Sequence, residues 1–111
     1  MIGKKEIGSY TVISVSGKLM GGPETAEFSE YIDGLQKSGV SNLILDLGDV
    51  QWINSAGIGA LIASFMSFKS VGGVIRFANL SPKVRDVLQI TKLAAVLEIY
   101  DSVESAERGS Q

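Results

Sequence analysis

The run Leu43-Ile44-Leu45-Asp46-Leu47 carries one polar side chain, and it constrains the fold more than any other segment. A strand with one wet face alternates apolar and polar residues. A run that does not alternate must be covered on both faces, as in a parallel sheet flanked by helices. The segment therefore predicts a central parallel strand. Asp46 is expected at its carboxyl end, with Gly48-Asp49-Val50-Gln51-Trp52-Ile53 as a connecting loop held by apolar anchors.

Other elements fall around this strand. Tyr10 to Ser16 alternates and reads as a strand, paired with a short one near Lys4 to Ile7 through the Gly8-Ser9 turn. Gly21-Gly22-Pro23 opens a helix, with proline at the first helical position. Phe28, Tyr31, Ile32 and Leu35 form its inner stripe, and Gly39 ends it. Asn54-Ser55 begins a second helix that lasts to about Ser70, with Ile58, Leu61, Ile62, Phe65 and Phe68 as its buried stripe. Val74 to Ala78 alternates, Ile75 and Phe77 facing in and Arg76 facing out. Ser81-Pro82 starts a third helix whose inner face is Val84, Val87, Leu88 and Thr91. Leu97 to Tyr100 is a last strand, and Asp101-Ser102 caps a short helix carrying Val103 and Ala106.

The order is ββαβαβαβα. It predicts an α/β fold in one domain, residues 1–111, with a mixed, mostly parallel sheet of about five strands. Arg76 and the alternating early strands leave one sheet face wetter, so the helices are expected mainly on the other. The polar end 108–111 is expected to fray.

What is missing narrows the function. The chain has no cysteine and no histidine. That removes thiolate chemistry, the usual general base and the commonest metal ligands. No carboxylate cluster offers a metal site instead, and no metal, cofactor or catalytic residue is expected. Its 12 acidic and 10 basic residues are dispersed and leave a net charge of −2, which does not suit a nucleic-acid surface. The amino-terminal Met1-Ile2-Gly3-Lys4-Lys5-Glu6 lacks an apolar signal core, and the apolar stretch Ile58 to Phe68 is too short to span a bilayer. A cytoplasmic protein without direct membrane insertion is expected.

The second helix draws attention at both its head and its outer face. Gly57-Ile58-Gly59 lacks the third glycine of a dinucleotide fingerprint, since that position is Ile62. Ser55 lacks the glycine two residues earlier that a nucleophile elbow needs, since that position is Ile53. Either Asn54 or Ser55 can cap the helix. A phosphate on Ser55 would sit at the positive end of the helix dipole and place roughly two negative charges on an uncharged surface. Off the buried stripe lie Ala56, Gly59, Ala60, Ala63, Met66 and Ser67. An exposed helix face normally carries lysine and glutamate. This one is small and uncharged, so either a partner or another part of the chain covers it.

These residues resemble the STAS family of anti-sigma-factor antagonists. The likeness centres on Leu45-Asp46-Leu47-Gly48-Asp49-Val50 and Ile53-Asn54-Ser55-Ala56-Gly57-Ile58-Gly59-Ala60-Leu61. Asn79-Leu80-Ser81-Pro82, Thr91-Lys92-Leu93 and Leu97-Glu98-Ile99-Tyr100 are similar to the closing pattern, and Gly17-Lys18-Leu19 to the segment after the second strand. The resemblance implies a non-enzymatic partner-switching regulator that binds a kinase-like ATPase acting as anti-sigma factor. It implies Ser55 as phosphoacceptor. The partner surface would comprise Asn54, Ser55, Ala56, Gly57, Gly59, Ala63, Met66, Met20 and Gly21, on a monomer or weak dimer. The chain departs from the family pattern where Asn54 and Met20 replace acids, Ala56 replaces a hydroxyl residue and Lys18 replaces glutamate. A second reading is an unphosphorylated accessory subunit of a membrane lipid transporter. A third, a small-molecule sensor, requires an apolar pocket.

Overall fold

The computed structural model describes residues 2–109. The elements are β1 (Ile2–Ile7), β2 (Tyr10–Leu19), α1 (Pro23–Lys37), β3 (Asn42–Ile53), α2 (Ser55–Ser70), β4 (Val74–Ala78), α3 (Pro82–Ile90), β5 (Ile99–Tyr100) and α4 (Val103–Arg108). A single 3₁₀ turn, Leu93–Ala95, follows α3. The five strands lie in the order β1-β2-β3-β4-β5. Only β1 and β2 are antiparallel; the other neighbours are parallel. The expected mixed sheet and element order are observed. Of the polar end 108–111, Arg108 closes α4 and Gly109 follows it at φ 77°; residues 110 and 111 lie outside the described residues.

The central run behaves as its composition requires. Leu43, Ile44, Leu45 and Leu47 are fully buried, with neighbours on both faces. One face is covered by α1, α2 and α3, whose Phe28, Leu61, Phe68, Val84 and Leu88 pack on Ile13, Leu45, Ile75 and Phe77. Phe28, Phe68 and Phe77 are fully buried, each contributing about 1.5–3 kcal/mol of transfer free energy. On the other face Val12, Ile44, Ala78 and Tyr100 meet Val103 and Ala106 of α4. The helices thus lie mainly on one side.

Several local expectations are corrected. Gly48 to Ile53 is not a loop: β3 continues to Ile53, pairing with β2 as far as Leu19 through two register shifts. Asp46 is accordingly not the end of β3. It is the last residue paired with β4, opposite Ala78. Beyond that point β3 has a neighbour on one side only, and Val50 and Ile53 stay buried while Gln51 and Trp52 are exposed. Asp46 Oδ1 steadies the transition, accepting from the Gly48 N–H at 3.0 Å and from Asn79 Nδ2 at 3.1 Å.

Arg76 leaves the main core as expected, yet it does not face open solvent. Its guanidinium pairs with Glu98 at 3.2 Å and donates to the Ala106 carbonyl at 2.7 Å. It also lies over the Tyr10 and Tyr100 rings, 5.3 and 5.4 Å from their centroids. A cation on the wetter face is thereby built into the seat of α4. Thr91 is exposed rather than buried, because α3 ends at Ile90 and Lys92 turns the chain at φ 62°. In α2, Ser64 is buried among the apolar stripe, its hydroxyl donating to the Ala60 carbonyl at 3.0 Å.

Candidate functional site

The parallel strands β2, β3 and β4 deliver the chain to three helix N-termini along one edge of the sheet, the usual location of sites in open α/β sheets. Each start is closed differently. Gly22 precedes Pro23 with no side-chain cap. Ser81 caps α3 by accepting from the Val84 N–H at 3.3 Å while its hydroxyl donates to the Val50 carbonyl at 2.6 Å. That bond ties α3 to the extended part of β3.

Asn54 caps α2. Its Oδ1 accepts from the Ala56 and Gly57 N–H groups at 3.0 and 3.1 Å, and its Nδ2 donates to the Met20 carbonyl at 2.9 Å. The cap is therefore Asn54 and not Ser55. Ser55, the first residue of α2, is exposed, and its hydroxyl has no hydrogen-bond partner among the described residues. A helix N-terminus stabilises negative charge at such a position. The Ala56 and Gly57 donors are already engaged, so an anion on Ser55 would gain the dipole but not those two bonds.

The loop after β2 lies against this head. Gly21 has φ 91°, and a Cβ there would come within 2.9 Å of Ala56 Cβ. Glycine is needed on both counts. Gly57 is buried, and a Cβ on it would lie 2.8 Å from Leu19 Cβ and 2.9 Å from Ile53 Cγ1. Of the residues expected on the partner surface, Met20, Gly21, Ser55, Ala56 and Gly59 are exposed together at this edge. Asn54 is half-buried, and Gly57 presents no surface but permits the close seating of α2 on β2.

The outer face of α2 divides. Ala56, Gly59, Ala63 and Met66 are exposed in a stripe along the helix, Met66 at 63%. Ala60 and Ser67 are half-buried and turned toward α1, where Gln36 Nε2 donates to the Ser67 carbonyl at 3.2 Å and the Ser67 hydroxyl bonds Gln36 Oε1. The chain thus covers part of that face itself.

Sequence reading missed Trp52. It is 56% exposed on the extended end of β3, opposite Lys18 of β2, with Lys83 Nζ 5.5 Å from its ring centroid. Treating its segment as a loop with apolar anchors hid it. As a strand, the same segment sends Val50 and Ile53 inward and leaves Trp52 out. Among the described residues no group of three or more His, Cys, Asp or Glu side chains could hold a metal ion, and no helix is long and apolar enough to cross a membrane.

The sequence matches the STAS domain family over residues 1–106. A Thermotoga neapolitana homologue of TM1081, named as a candidate anti-sigma factor antagonist, is 32% identical over 79 residues. That match covers 71% of this chain and 66% of the relative, so the chain spans just under two thirds of its length. The crystal structure of a candidate anti-sigma factor antagonist from Thermotoga maritima superposes with a TM-score of 0.87 at 25% identity, covering 97% of this chain and 92% of that one. The Bacillus cell-fate determinant SpoIIAA, solved in its phosphorylated form, shares the fold with a TM-score of 0.75 at 19% identity, covering 97% of each chain. With the fold of its solved relatives matched along nearly its whole length and the family pattern running from residue 1 to 106, the chain belongs to the STAS domain family.

Proposed function

We propose that this chain is itself an anti-sigma-factor antagonist, which docks on a kinase-like ATPase anti-sigma factor through the edge bearing Met20, Gly21, Ser55, Ala56 and Gly59, and that Ser55 is where this surface is switched. The observation that carries the reading is the free Ser55 hydroxyl. Asn54 performs the capping, so nothing among the described residues competes with a kinase for that oxygen. In the transfer, Ser55 Oγ takes the γ-phosphoryl of ATP, its proton passes to a base of the kinase, and ADP leaves. Asn54 and Met20 supply no carboxylate beside Ser55, so the kinase holds any metal the transfer uses.

The switch is electrostatic. Met20, Gly21, Ser55, Ala56 and Gly59 carry no charge and lose little on desolvation. A phosphate adds roughly two negative charges, tolerated by the helix N-terminus in the free domain but taken out of water in the complex. Burying an unpaired charge in an interface costs several kcal/mol, enough to reverse docking of modest affinity. The chain acts in this reading as a monomer or weak dimer in the cytoplasm, with no cofactor of its own.

The test is calorimetric titration of wild type, Ser55→Ala and Ser55→Asp against the purified anti-sigma factor, with circular dichroism as a folding control. Ser55→Ala is expected to bind like wild type, and Ser55→Asp at least about a hundredfold more weakly. Equal affinities of three folded proteins would place Ser55 outside the interface.

A further inference from the structure

A recess of about 370 Å³ opens between α3, the 3₁₀ turn and β5, sharing no residue with the Ser55 edge. That volume falls in the ordinary range of small-molecule sites. Leu80, Leu88 and Leu97 of the main buried cluster lie beneath its floor, and Ala94, Ile99 and Tyr100 complete its apolar lining. Gln89 and three charged side chains line the remainder. Glu98 is engaged by Arg76 at 3.2 Å. Arg85, half-buried on α3, and Asp101, exposed just after β5, have no ion pair or side-chain hydrogen bond among the described residues.

We propose that this recess binds a free amino acid with a branched or aromatic side chain. The carboxylate meets the Arg85 guanidinium, whose planar fork suits that group. The ammonium meets Asp101, and the side chain lies against Ala94 and Ile99 over the leucine floor. A simple apolar carboxylate would satisfy Arg85 but bring a like charge toward Asp101. An apolar amine would do the reverse. A zwitterion with an apolar arm satisfies all three features at once. The inference does not depend on the switching role of Ser55, since neither the residues nor the chemistry are shared.

The experiment titrates the full chain with L-phenylalanine and L-leucine, and in parallel with hydrocinnamate and phenethylamine, which each lack one of the two charges. Saturable binding of one amino acid per chain is expected, with a Kd on the order of 1 mM or tighter for so small a ligand. Each single-charge analogue should bind at least about tenfold more weakly, one charge-assisted hydrogen bond being lost. Arg85→Gln should abolish the preference over phenethylamine, and Asp101→Asn the preference over hydrocinnamate. Both variants should melt like wild type, because neither side chain is bonded to another described residue. No saturation by either amino acid at tens of millimolar would overturn the proposal, as would analogues that bind as well as phenylalanine, or folded variants with unchanged selectivity. The analogue series uses the wild-type chain, so it decides the matter even where a variant loses stability.

Discussion

Asn54 donates its side-chain amide to the Met20 carbonyl oxygen at 2.9 Å, fastening the loop after β2 to the head of α2. The same side chain closes the helix through Oδ1, so one residue both caps α2 and sets the loop that shares its surface. An aspartate could perform the first task but not the second, because it has no donor.

Asn54→Ala should therefore destabilise the domain by about 1–2 kcal/mol, the usual cost of a lost cap with an added hydrogen bond. Asn54→Asp should cost less, since the cap survives and the charge suits the helix dipole. Urea unfolding of the three proteins measures this. An Asp variant as unstable as the Ala variant would mean that the Met20 tether, and not the cap, dominates.

Two glycines in one turn of α2 should respond in opposite directions. Gly57→Ala would press a methyl into the Leu19 backbone carbonyl and against the Leu19 and Ile53 side chains, and is expected to cost about 3 kcal/mol, the upper end of overpacking. A methyl at Gly59 would meet nothing within 4 Å, so Gly59→Ala should stabilise the helix by up to about 1 kcal/mol. Thermal melts of the two variants give opposite shifts if α2 seats on β2 through Gly57.

Met66→Lys should leave the melting temperature nearly unchanged, because that side chain is 63% exposed. Ala60→Glu, on the half-buried part of the same helix, should destabilise by about 1–3 kcal/mol. Binding to an anti-sigma factor, measured alongside, is expected to weaken for Met66→Lys. Equal stability losses would show the whole outer face to be core.

Arg76→Met removes the Glu98 pair, the Ala106 carbonyl bond and two ring contacts together. A loss of about 2–4 kcal/mol is expected, with amide exchange in α4 rising first. If α4 stays protected while the rest of the domain loosens, apolar contacts of Val103 and Ala106 hold it without Arg76.

The parts of this protein legible from sequence are those set within a few neighbouring residues. The Leu43–Leu47 run needs cover on both faces wherever it lies, and Pro23, Ser81 and Ser102 begin helices through bonds or dihedrals within one turn. The motif around Ser55 likewise announced a helix head, though not which residue caps it. Contacts between distant segments decided the rest. Whether β3 ends at Leu47 or reaches Ile53 depends on β2 extending beside it, and that extension puts Trp52 on the surface and Ser81 against Val50. Arg76 looked solvent-facing because periodicity reports the side of a strand, whereas its burial depends on α4 returning from near the end of the chain. Asn54 caps because it is the extended residue ahead of the first helical turn, leaving Ser55 free, and the Met20 carbonyl across the fold orients its amide. Local dihedral and hydrophobic preferences act along the chain and can be read there; the partners of a strand edge, a cation or an amide lie across the fold, and only the tertiary structure supplies them.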